Sequence, residues 1–250
     1  MKNRNIDLDR SLFSIAFSVM RRNWLPCGVA AVLLLAANVG EGYLDAPLIF
    51  PMTRALIIMI VGYSIYRTLL SDGRLAGLGA MATDEGRVPW RYNAVMLMIL
   101  TPILILGIVW TAPGSSGGPG TMSEIVFGVV MVILYATGYV LLGTALPEIA
   151  ERGDVSLTRA INRGRANFRR ISRAMLLGPW IFRVCTILLM ICLALTGVTI
   201  DLFSSHDGTF QPAAVAPMLL FTSGHVLAEV LTAIVLVRAY RRFPAPVARP

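Results

Sequence analysis

His225 and Glu229 stand four residues apart in "TSGHVLAEV", inside an apolar run over 214–237. At the helical period they share one face. An imidazole and a carboxylate on an apolar face could relay a proton, hold a cation or close an ion pair, and ionisable groups in such a setting are costly to bury. The sequence supplies a cation at matching depth. Arg183 lies eight residues past Met175, and Glu229 nine residues before Arg238. At 1.5 Å rise per residue both sit about 12–13 Å in from the same end of two consecutive antiparallel helices. An Arg183–Glu229 ion pair is expected, with His225 one turn deeper. Such a cluster could serve as a clasp between helices, as a proton or ion path, or as a catalytic centre.

No other constellation completes a site. The chain has two histidines, and His206-Asp207 reads as a hydrated turn. No HExxH, GxSxG or phosphate-loop pattern occurs, and "TAPGSSGGPGTMSE" lacks the strand and the GK[ST] that a phosphate cradle needs. Ser223-Gly224-His225 resembles the PSGH element of membrane phosphatidate-type phosphatases, but Thr222 stands for its proline. A second histidine in the required pattern is missing, so phosphoryl transfer has no nucleophile–acid pair. Cys27, Cys185 and Cys192 show no metal-ligand spacing and read as small apolar packing residues. Asn38, Tyr135, Thr137, Tyr139 and Thr144 could line a polar cavity or bond neighbouring helices. No catalytic residue, no metal and no cofactor are expected.

The elements that must position the trio follow from composition. The 250 residues are 56% hydrophobic and 14% charged, with a mean hydropathy of +0.71. A soluble domain carries about 25% charged residues, so the chain belongs to the membrane class. Six stretches have the length of a helix across the hydrocarbon core: about 25–44, 53–70, 93–112, 124–146, 175–198 and 214–237. The expected fold is all-α, one integral membrane domain over 1–250. The N-terminus does not read as a signal peptide, because 24 mostly polar or amphipathic residues precede the first apolar run. Six helices place twenty of the 22 basic residues on one side, against Arg54 alone in the opposite loops, with Arg183 inside the fifth helix. That asymmetry orients both termini to the cytoplasm.

Two further helices are expected along the cytoplasmic face. In "LDRSLFSIAFSVMRR", Leu8, Leu12, Ile15 and Val19, with Phe13 and Ala16 nearby, form one stripe, and Arg10, Ser14, Ser18 and Arg21 face away. In 156–174, Leu157, Ile161, Gly164, Phe168 and Ile171, continued by Met175, repeat at helical spacing behind a Ser156 N-cap. Arg159, Arg163, Arg165, Arg169, Arg170 and Arg173 fill the remaining arc without an acid among them. Taken alone these arginines suggest nucleic acid, but only Phe168 could stack on a base. An interfacial helix accounts for both faces: the stripe dips toward acyl chains and the arginines meet anionic headgroups. Anionic membrane lipid is the expected partner, beside a homo-oligomeric or other membrane-protein contact; nucleic acid is not.

The segment "YVLLGTALPEIAERGDVSLTRAINRGRANFRR", 139–170, resembles the six-span membrane domain joined to some bacterial glycerophosphodiester phosphodiesterases, here of the stand-alone kind. The matching positions are Pro147, Glu148 or Glu151, Ala160, Arg163 and Asn167, with Ala166-Asn167 in place of Gly-Asn. The entry segment from Leu8 to Leu34 looks like that family's first helix and span. The resemblance implies an architecture and no reaction. The functions expected from the whole sequence are a non-enzymatic scaffold or envelope-homeostasis protein engaging anionic lipid, a small transporter or channel using Arg183, His225 and Glu229, or a lipid-modifying membrane enzyme.

Overall fold

A computed structural model describes residues 11–43, 49–70, 89–111, 121–200, 202–203 and 209–242. Over these the chain is helical, apart from an isolated bridge between Phe203 and Phe210. The helices are α1 (Leu12–Arg22), α2 (Trp24–Tyr43), α3 (Ile49–Leu70), α4 (Trp90–Thr111), α5 (Thr121–Leu142), α6 (Ala145–Arg152), α7 (Leu157–Ala166), α8 (Phe168–Met175), α9 (Ile181–Leu195) and α10 (Val215–Arg242). Among the described residues, Thr53–Leu70, Phe168–Leu195 and Pro212–Arg242 are long and apolar enough to cross a membrane. The number reaches five if two bent pairs each count as one span: Leu12–Arg22 with Trp24–Gly40, bent by 90°, and Ile133–Leu142 with Ala145–Arg152, bent by 41°. The α4 helix coincides with the stretch expected at 93–112.

The breaks have local causes. Proline lacks an N–H, so the carbonyl four residues back loses its helical partner. Pro26 deprives Arg22, next to the break at Asn23, and Pro147 deprives Gly143, at the end of α5. The Gly143 carbonyl accepts instead from the Leu146 N–H at 3.1 Å. Pro179 deprives Met175, and Leu176–Trp180 widens into a π-helical turn that joins α8 to α9. Asparagine acts at two breaks. Asn23 Nδ2 donates to the Val19 carbonyl at 2.8 Å, and Asn167 Nδ2 to the Arg163 carbonyl at 3.1 Å. A short amide side chain thus competes with the backbone ladder where the helix stops. Pro102 lies inside α4 without ending it.

The helix expected over 156–174 is therefore two helices. Ser156 caps α7 as expected, accepting from the Arg159 N–H at 3.4 Å. Asn167 ends α7, and α8 runs on through the π turn into the Phe168–Leu195 stretch. The apolar stripe divides accordingly. Gly164, Ile171 and Met175 are buried, Leu157 and Ile161 are half-buried, and Phe168 is exposed. On α1, Ile15, Ala16 and Val19 are buried as the period requires, but Phe13 is exposed on the other side. Leu8 and Arg10 lie outside the described residues.

The chain forms two compact units, Met1–Arg87 with Ala174–Val235, and Val88–Arg173 with Leu236–Pro250. In the first, Cys27, Ala30, Ala31 and Leu34 of α2 pack on Val226 of α10, with Ile57, Ile58 and Val61 of α3 against them. Asn38 Oδ1 accepts from Arg54 Nη1 at 2.7 Å, tying α2 to α3. In the second, Tyr139 on α5 donates its hydroxyl to Met96 Sδ on α4 at 3.9 Å. These polar groups, and Thr144 below, bond neighbouring elements.

Also in the second unit, α7 meets α5 at Gly164, where an added Cβ would stand 2.6 Å from the carbonyl oxygens of both Val140 and Leu141. Neither backbone can yield that distance. Gly164→Ala is expected to cost about 1–3 kcal/mol, read as a lower unfolding midpoint in detergent; an unchanged midpoint would show that α7 does not dock on α5. Gly153, at φ +70°, ends α6 in the left-handed region that glycine adopts freely. Outward, Ile181, Val184, Ile187, Leu188, Ile191 and Leu195 leave α9 with an apolar exposed surface. Only 17% of the most apolar window of Phe168–Leu195 is buried, a degree of apolar exposure that water-facing helices avoid. Cys185 and Cys192 share this exposure, so of the three cysteines only Cys27 packs inside.

Candidate functional site

In the first unit, α9 and α10 bring the expected pair together. Arg183 Nη2 donates to Glu229 Oε1. Close helix approach makes this possible: a Cβ on Gly224 would lie 3.0 Å from the Thr186 side chain, so α10 lies against α9 one turn from the pair. The Arg183 side chain keeps 22% of its accessibility and that of Glu229 9%. His225 lies one turn from Glu229, its ring 5.4 Å from that of Phe221. His225 and Glu229 line a cavity of about 10 Å³ whose other walls are Leu34, Ile57, Ile58, Val61 and Val226. A space of about 10–15 Å³ admits one water molecule.

The second unit holds a buried ionic cluster that sequence reasoning did not assemble. Glu148 on α6 is 1% exposed and Arg163 on α7 4% exposed. Arg163 Nη1 donates to Glu148 Oε2 at 3.4 Å and to the Thr144 carbonyl at 3.3 Å. Arg159 Nη2 lies 3.7 Å from Glu148 Oε1. The Thr144 hydroxyl donates to the Ala160 carbonyl at 3.4 Å. The Arg163 guanidinium lies 4.9 Å over the Tyr240 ring, a cation–π contact. The Tyr240 hydroxyl donates to Glu151 Oε2 at 2.6 Å. Arg163 Nε is buried with no hydrogen-bond partner among the described residues.

Of the six arginines expected at lipid headgroups, Arg159, Arg165, Arg169, Arg170 and Arg173 are exposed. Arg163 is not: it points inward to Glu148, because the face it shares with Ala160 and Gly164 is the one that docks on the protein. The available signal was "TALPEIA", a lone acid among small and apolar residues, which needs a buried cation. Among the described residues no group of histidine, cysteine and acidic side chains could hold a metal ion. His206 and Asp207 lie outside them.

The fold defines a class: over the described residues, a helical chain with three to five helices long and apolar enough to span a membrane. Comparison with protein-family models, with curated proteins and with solved structures returned no match.

Proposed function

We propose that the chain is a six-span protein of the bacterial inner membrane, with both termini cytoplasmic, working without catalysis as a scaffold or envelope-homeostasis protein that engages anionic lipid. The observation that carries this is the exposure of Arg159, Arg165, Arg169, Arg170 and Arg173 around the junction of α7 and α8. Each basic side chain near an anionic surface contributes about 1 kcal/mol. Helices at all six expected stretches support the layout, and so does the one-sided distribution of basic residues. The likeness of 139–170 to the phosphodiesterase-linked membrane domain fits the same architecture. The small cavity at His225 and Glu229 supports a clasp there rather than a transport path.

Native mass spectrometry from bilayers of equal phosphatidylglycerol and phosphatidylcholine tests the lipid role. The protein is expected to keep phosphatidylglycerol preferentially, and replacing Arg165, Arg169, Arg170 and Arg173 with glutamine to lower the number of phosphatidylglycerol molecules it keeps. Equal retention of both lipids by the unmodified protein would sink the proposal. A green fluorescent protein fused to the C-terminus is expected to fluoresce and a fused alkaline phosphatase to be inactive; the reverse would overturn the orientation.

A further inference from the structure

We propose that the elbow between α1 and α2 holds one acidic phospholipid, with its headgroup at Arg21 and Arg22 and an acyl chain in a groove between α2 and α10, a proposal that rests on the membrane placement above. The groove has a volume of about 410 Å³, within the roughly 300–1,000 Å³ of small-ligand sites. Its walls include Trp24, Leu25, Gly28 and Val32 on α2, with Leu219 and Ser223 on α10. Gly28 opens the wall, since a Cβ there would meet nothing within 4 Å.

Charge decides what the apolar groove takes. Arg21 and Arg22 form the last turn of α1 and are exposed, three and two residues before Trp24. No acidic residue occurs from Leu12 to Asn38. The 90° bend at Asn23 turns the chain from this cationic end directly into the groove-lining helix. Trp24, 72% exposed, suits the interfacial level at which amphipathic rings settle. Phe13 and Phe17 are exposed on the side of α1 opposite its buried residues, so α1 offers apolar rings to acyl chains while its other face grips the protein. A second copy pairing symmetrically through this face would bring the same two arginines to the same mouth and be repelled. A phospholipid supplies the opposite charge and the apolar chain in one molecule.

The test uses the full-length protein in bilayers of equal phosphatidylglycerol and phosphatidylcholine, read by native mass spectrometry. One phosphatidylglycerol is expected to survive gentle activation. Gly28→Leu, which fills the groove from a position with room for a side chain, is expected to lower its retention at least tenfold. The double variant Arg21→Gln, Arg22→Gln is expected to keep a lipid but to lose roughly 30-fold of the headgroup selectivity. Undiminished retention by Gly28→Leu would overturn the proposal, as would a dimer that Gly28→Leu dissociates. A readout on the unmodified protein guards against misfolding. Fluorescence quenching by phosphatidylglycerol brominated on its acyl chain, taken as the difference between the unmodified protein and Trp24→Phe, is expected to exceed quenching by the brominated choline lipid; equal quenching counts against the site. The arginine variants at 165, 169, 170 and 173 are expected to keep the groove lipid. An undiminished number of phosphatidylglycerol molecules kept by that variant would count against the broader reading alone, and undiminished retention by Gly28→Leu against this one alone.

Discussion

Glu148→Ala is expected to cost about 3–5 kcal/mol of stability, because it leaves the Arg163 guanidinium buried without its carboxylate. Arg163 is 4% exposed and lies over the Tyr240 ring, with Nε without a hydrogen-bond partner among the described residues. The reciprocal change, Arg163→Ala, is expected to cost less. Arg159 remains 3.7 Å from Glu148 and keeps a cation beside the carboxylate. A double change to apolar residues of similar size, Glu148→Leu with Arg163→Met, is expected to recover most of the loss, since a buried pair replaced as a unit is often neutral. Unfolding in detergent measures all three. A loss below about 1 kcal/mol for Glu148→Ala, the range of an exposed pair, would show that the cluster does not hold α6 to α7.

Arg183→Met and Glu229→Leu, each alone, are expected to destabilise the first unit by about 3–5 kcal/mol, and the double variant by much less. The size of the single effects follows from the mostly apolar surroundings: Leu34, Ile57, Ile58, Val61 and Val226 line the space beside Glu229, with His225 its one polar wall residue. Stability alone would not separate a clasp from a proton path, so the same double variant goes into proteoliposomes carrying a pH gradient. A clasp predicts no proton flux before or after the change. A flux present in the unmodified protein and lost in a folded double variant would assign the cluster to transport. Exchanging the charges, Arg183→Glu with Glu229→Arg, is expected to restore part of the stability, because the two side chains meet end to end across one helix contact.

The Arg183–Glu229 pair was legible before any coordinates. Both residues are ionisable in apolar runs, the two runs are consecutive, and helical rise converts residue number into depth. The Glu148–Arg163 pair was not. Between them lie fourteen residues, the Gly153 turn and a change of helix, so no period links them. Arg163 shares a basic run with five exposed arginines, and its neighbours made it look like one of them. The breaks were readable in part. Pro26, Pro147 and Pro179 each lie four residues after a carbonyl next to an interruption, yet Pro102 interrupts nothing. Proline marks where a ladder is weak, and packing decides whether it opens.

The sequence by itself determined the apolar helical elements. Hydropathy and length select helices, because an apolar helix satisfies its backbone within its own segment. Tertiary structure alone decided which face of α7 turns inward. That choice rests on Gly164, whose missing side chain lets α7 approach the α5 backbone, and once the face is set Arg163 must be buried and must find Glu148. Amphipathic period constrains which residues travel together around a helix. It does not say whether protein or lipid covers them, since both are apolar, and only the fit of one backbone against another distinguishes the two.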